Sequence, residues 1–199
     1  MTLGIGVNTA VFSVINTVVL KPLPFPDADT LVAVPNTSNG SAYGPWTSPA
    51  KYMYWRGQTD IFSDVAAIDV QPRFLTDTGG DEPKLVMAAR VSESYFRVLS
   101  APLARGRPFT AQEDLPGGAK VAVISYAFWQ RNLSGAKDIL GRRLPLSGNS
   151  YTIVGILGQG FDADPYFDAQ SSGSRPDLLV LPCATSSETP ICTRVARGR

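Results

Sequence analysis

The stretch Arg142-Arg143-Leu144-Pro145-Leu146-Ser147-Gly148-Asn149-Ser150-Tyr151-Thr152-Ile153-Val154-Gly155-Ile156-Leu157 decides the fold class. Two extended runs, 142–146 and 151–157, flank Gly148-Asn149, a dipeptide suited to a tight hairpin connection. Pro145 lacks an amide donor, which places the first run at a sheet edge. The second run is apolar on both faces, with Tyr151, Ile153 and Leu157 opposite Val154 and Ile156, and only Thr152 polar. Such a strand is expected to be central and covered on both sides.

Working outward, Lys120 to Ile124 reads as a strand, and Ser125 as the cap of a helix carrying Tyr126, Trp129 and Leu133 at helical spacing. Lys84 to Val91 alternates, with Leu85, Met87, Ala89 and Val91 on one face, after a turn at Thr78-Gly79-Gly80-Asp81. Ser92 is expected to cap a short helix with Tyr95, Phe96 and Leu99. Phe62 to Val70 and Arg73 to Thr76 read as two extended pieces. Ser48 followed by Pro49 opens a helix that stops near Gly57. Its Tyr52, Met53, Tyr54 and Trp55 invite an aromatic ligand box, but core packing is the plainer use. Leu31 to Val34 is a short strand, followed by a Ser/Asn/Gly/Pro-rich loop to Pro49. After Gly158 the pattern thins: Asp177 to Leu181 is a last strand, and the segment from Cys183 onward shows no periodicity. Strands and helices alternating irregularly, with hairpins, define an α+β fold with a mixed sheet and short helices rather than a doubly wound sheet.

From Met1 to Leu20 no side chain is charged, and roughly 20 apolar residues span a bilayer core as a helix. Thr2, Gly6, Thr9, Ser13 and Asn16 share one face, the kind of small-residue stripe by which membrane helices pack together. A soluble amphipathic helix would carry Lys or Glu there, and a signal peptide a basic start and a cleavage site. A buried core helix is the remaining alternative to the membrane helix. Lys21, the only flanking charge, weighs against an extracytoplasmic location for the residues C-terminal to it. Pro22, Pro24 and Pro26 end the helix. The expected organisation is a transmembrane helix over 1–21, an extracytoplasmic domain over 22–182 and an irregular tail over 183–199.

The chain has 199 residues, 44% apolar and 18% charged, with a formal net charge of +1, so it can bury an ordinary core and has no basic footprint for nucleic acid. There is no histidine, which removes Ser-His-Asp and Cys-His catalysis and nearly all catalytic zinc sites. Cys183 and Cys192 either pair in an oxidising compartment or stay as two thiols. No P-loop is present, and Gly155, Gly158 and Gly160 do not match a dinucleotide fingerprint. Asp162, Asp164 and Asp168 lack the central glycine and closing glutamate of a calcium loop, Gly173 standing where the glutamate belongs. Glu113 and Asp114 suggest a carboxylate pair, but Thr110 followed by Glu113 equally fits a capping box. No catalytic, cofactor-binding or metal residue is assigned, and the chain is expected not to be an enzyme.

Several segments in order resemble one family. Leu3-Gly4-Ile5-Gly6-Val7-Asn8-Thr9-Ala10-Val11-Phe12-Ser13-Val14, then Leu20-Lys21-Pro22-Leu23-Pro24-Phe25, is similar to the first membrane helix and its exit in MacB-like (FtsX-like) ABC permeases. Arg90-Val91-Ser92 with Tyr95-Phe96-Arg97-Val98-Leu99 resembles the start of that family's periplasmic core domain helix. Gly106-Arg107-Pro108-Phe109-Thr110 with Glu113-Asp114, Val121-Ala122-Val123-Ile124-Ser125 with Trp129-Gln130-Arg131, and Leu140-Gly141-Arg142 continue the series. Tyr151-Thr152-Ile153-Val154-Gly155-Ile156 and Gly160-Phe161 close it. The departures are Ser100, where a helix-ending glycine is common, and Leu179, where a tryptophan is frequent.

The subgroup most resembled is the stand-alone permeases without a fused ATPase. The resemblance implies a bacterial inner-membrane protein, single-pass in this chain, with its main domain periplasmic. The implied partners are a separate cytoplasmic ABC ATPase, other permease membrane helices in a dimeric assembly, and a periplasmic adaptor protein. The implied role is mechanical: the domain passes ATPase-driven helix movement to substrates or partner proteins. The family's C-terminal membrane helices have no counterpart here, so a fragment or truncated copy is expected. The alternatives are a membrane-tethered binding module and a hydrolase with an unrecognised site.

Overall fold

The computed structural model describes residues 28–34, 37–38, 41–42, 46–76, 82–161, 175–181 and 192–198. The expected membrane helix, the turn 78–81, Asp162, Asp164, Asp168 and Cys183 lie outside these residues. Among the described residues no helix is long and apolar enough to cross a membrane.

After a 3-10 turn at Ala28–Thr30 come β1 (Leu31–Ala33), the small pair β2 (Thr37–Ser38) and β3 (Ser41–Ala42), β4 (Trp46–Thr47) and α1 (Pro49–Arg56). The chain continues through β5 (Phe62–Leu75), β6 (Lys84–Val91), α2 (Tyr95–Val98), β7 (Leu103–Gly106), β8 (Val121–Ile124) and α3 (Tyr126–Leu133). The last elements are β9 (Arg143–Leu146), β10 (Asn149–Leu157), β11 (Leu178–Val180) and β12 (Cys192–Gly198). The main sheet runs β1-β12-β5-β6-β11-β8-β10-β7, with β4 on β12 and β9 on β10. The β8–β10 and β6–β11 pairs are parallel and the others antiparallel, so the sheet is mixed and the fold α+β.

Ser48 and Ser125 cap α1 and α3 as expected, accepting from the Lys51 and Phe128 amides. β10 is flanked by β8 on one side and by β9 and β7 on the other, and Ile153, Gly155, Ile156 and Leu157 are buried. β9 meets β5 only where Leu146 faces Leu75, the edge setting that Pro145 requires. That contact, with the Ser147 amide on the Phe74 carbonyl at 2.8 Å, closes a ring β5-β6-β11-β8-β10-β9. Inside it lie Val86, Ala88, Ala122, Ile124, Leu144, Ile153, Ile156 and Val180, with Phe128 and Ile139 completing the cluster. Alternate residues of the same strands, among them Ala89, Val91, Val123 and Leu179, face the opposite way and are covered by Tyr95, Phe96 and Leu99 around α2.

Four local expectations change. The hairpin tip is Ser147-Gly148, one residue earlier than expected. Both residues have positive φ, +47° and +79°, as a two-residue turn matching strand twist demands. The pieces 62–70 and 73–76 are one strand, β5. Pro72 is tolerated within it because, among the described residues, β12 pairs β5 only as far as Ile68 and β9 only at Leu75. Ser92 does not cap α2. Its hydroxyl accepts from the Ala67 amide at 3.0 Å, while Ser94, at the N-cap position, donates to the Val65 carbonyl at 2.7 Å. Finally, Cys192–Gly198 is not irregular. It pairs with β5 on one side and with β1 and β4 on the other, so backbone bonds on both sides hold it as a strand although its sequence shows no apolar alternation.

Candidate functional site

β1 begins, β12 ends and β5 begins at one end of the sheet, here called the base. Leu31 lies opposite Arg197 in the β1–β12 ladder, and Gly198 opposite Phe62 in the β12–β5 ladder. The two described extremities of the chain therefore sit on adjacent strands.

An ionic network surrounds this end. The Arg197 guanidinium donates to the Val98 carbonyl at 2.8 Å and to the Ser100 hydroxyl at 2.9 Å, tying β12 to the end of α2. Ser100 has φ +50°, the left-handed conformation that ends a helix and that a glycine would adopt without strain. Arg97, on α2, donates to Asp64 at 3.0 Å and to Glu93 at 2.6 Å, and Arg56 of α1 reaches Glu93 at 2.9 Å. Glu93 is buried, yet the Arg97 hydrogen bonds outweigh its desolvation and hold its carboxyl below the usual range, with Arg56 adding to the effect. The hydrogen bond to Glu93 in turn raises the pKa of Arg97.

The Glu93 amide donates to buried Asp114 at 3.1 Å, which docks the loop between β7 and β8 onto the start of α2. Burial pushes the Asp114 carboxyl up, against the pull of that amide bond. Glu113 turns elsewhere, accepting from Arg107 at 2.6 Å and from the Thr110 amide at 2.8 Å, and Arg107 holds its carboxyl low. The two adjacent carboxyls thus brace a loop from different sides and do not converge on a common point. On the α1 face of the sheet, Arg90 donates to the directly opposite Asp69 at 2.6 Å.

Of the α1 aromatic run, only Tyr52 enters the core, packing with Val65, Ala67 and Ala196. Trp55 is half-buried, while Met53 and Tyr54 face solvent. Gly155 lies in β10 opposite Gly106 of β7. A Cβ on Gly106, whose φ is +82°, would come within 2.2 Å of the Val154 carbonyl oxygen, so both glycines serve close strand approach. Gly158 and Gly160 belong to the turn after β10. Among the described residues no group of acidic or cysteine side chains is arranged to hold a metal. Glu93 and Arg97 stand four apart, a helical spacing visible in sequence, whereas Arg197 and Val98 are 99 residues apart and carry no such signal.

Over residues 1–196 the chain matches the MacB-like periplasmic core domain, and it belongs to that family, the extracytoplasmic domain of MacB/FtsX-like ABC transporter permeases. No curated protein matches it. Among solved structures it resembles the periplasmic region of MacB from Actinobacillus actinomycetemcomitans, with a TM-score of 0.60 and 14% identity over 84% of this chain and 73% of that one. It also resembles the extracellular domain of the noncanonic ABC-type transporter YknZ from Gram-positive bacteria, with a TM-score of 0.58 and 19% identity over 85% and 82% of the two chains. At these identities the likeness is one of fold.

Proposed function

We propose that this domain is the outer moving part of a permease: residues 1–21 anchor it in the membrane, a separate cytoplasmic ABC ATPase drives it, and it acts within a dimeric assembly. In this reading it passes helix movement to a substrate or a periplasmic adaptor and catalyses nothing itself. The absence of histidine from the whole sequence supports the last point. The observation that carries the proposal is the pairing of β1 with β12 at the base, since strands pulled along their length resist through a whole ladder of bonds. Arg197 then links that ladder to α2.

The test places one thiol at Val32, half-exposed on β1, in a Cys183→Ser/Cys192→Ser chain within native membranes. The thiol is expected to react with an impermeant maleimide from outside, at a rate that changes when ATP is supplied and stops changing with vanadate. Labelling from the cytoplasmic side would overturn the location. Outside labelling that ignores ATP would overturn the coupling and leave a tethered binding module.

A further inference from the structure

The base carries exposed apolar side chains that the fold does not use. Tyr54 is 62% exposed, Met53 56% and Ile61 53%, whereas a stable core residue such as Tyr52 is 1% exposed. They lie on consecutive stretches of the chain, α1 and the turn that follows it. The Trp55 ring meets the Tyr54 ring edge-on at 5.6 Å and the Phe62 ring at 5.9 Å, and tight turns after α1 fold Ile61 back, its amide donating to Gln58. Val32 lies on the face of the sheet that carries Ala196 and Val65, the face against which Tyr52 of α1 packs.

We infer that this patch of Tyr54, Trp55, Ile61 and Met53 rests in the headgroup layer on the extracytoplasmic face of the membrane that holds the anchor, so that the domain leans on lipid as well as hanging from its anchor. Three observations select lipid as the occupant. The patch lies at the end of the sheet where β1 enters, and Lys21 to Thr30, both included, are ten residues, which span at most about 35 Å. The uncharged run ends just before that link. The composition, Tyr and Trp beside Ile and Met, is what the water–lipid boundary favours, because amphipathic rings keep their polar atoms wet and their bodies in hydrocarbon. A second exposed apolar pair, Phe74 and Leu85, sits cross-strand at the far end of β5, up to about 40 Å away at strand rise, and serves as the internal control.

The inference rests on the proposed anchoring by residues 1–21. Single thiols at Ile61, Tyr54 and Leu85 are placed in the full Cys183→Ser/Cys192→Ser chain, which is reconstituted in phosphatidylethanolamine–phosphatidylglycerol vesicles. Vesicle flotation and labelling from the two sides first report anchoring and sidedness through Leu85→Cys. With the domain on the vesicle surface, Ile61→Cys and Tyr54→Cys are expected to react with an impermeant maleimide about tenfold more slowly than Leu85→Cys, a factor equivalent to about 1.4 kcal/mol. The slowing is expected to persist as the protein is diluted into more lipid. Equal rates at Ile61 and Leu85 in a bound, correctly oriented chain overturn the lipid contact while the anchor stands. Protection that fades on dilution overturns it in favour of a second copy. A chain that does not float overturns the anchor and the contact together.

Discussion

The two ends of β5 are built on different physics. At the base, residues 62–68 lie between α1 on one face and α2 on the other, and to the apolar contacts of those faces the join adds directional, charge-assisted bonds from Asp64, Arg97, Glu93, Arg56 and Arg197. At the tip, Leu75 closes onto Leu146 and the ring fills with aliphatic side chains and Phe128. Apolar packing is indifferent to direction and to pH, whereas a network of ion pairs fixes orientation and weakens with acid and salt.

The comparison is tested most severely at the ring. Ile153, 1% exposed inside it, fills space that cannot collapse without moving several strands. Ile153→Ala is expected to cost about 2–5 kcal/mol in a denaturant melt, with little dependence on pH between about 4 and 8. A loss under about 1 kcal/mol would mean the ring is loosely packed.

Arg197→Ala at the base should cost less, about 1–3 kcal/mol, because it removes charged donors from the Val98 carbonyl and the Ser100 hydroxyl. Hydrogen exchange should locate that loss, with faster exchange in α2 and β12 and unchanged protection in β10. Equal acceleration in β10 would show that base and tip are one cooperative unit.

Glu93→Gln should have the smallest effect, and its sign depends on pH. The folded-state carboxyl of Glu93 is held below its ordinary 4.5, so its stabilisation is present above that value and is lost as pH falls through the lower, folded value. The variant is therefore expected to be less stable by about 1 kcal/mol at neutral pH. The gap should narrow below about pH 4 and should also shrink in high salt, since Arg97 and Arg56 are partly exposed. A gap that does not change with pH would show that Glu93 acts through packing rather than charge.

Sequence by itself determined what rests on short-range chemistry. The caps Ser48 and Ser125, the extended run 84–91 (though not its alternation, since Leu85 is exposed while Val86 and Ala88 are buried), the doubly apolar run 151–157 and the edge proline Pro145 each depend on neighbours within a few residues. Together they were enough for the α+β class, and the ordered family motifs for the MacB-like resemblance. What only the tertiary structure decided depends on partners far along the chain. β12 is a strand because β1, β4 and β5 offer it backbone groups on both sides, and its own residues give no apolar period. Ser92 and Ser94, which look like a local cap, are spent on Ala67 and Val65. Arg197 finds the end of α2 across 99 residues, and Tyr54 is left outside while Tyr52 goes in because the sheet lies against only one side of α1. Local propensities are written in adjacent side chains; a hydrogen bond between distant segments exists only once the sheet order has brought them together.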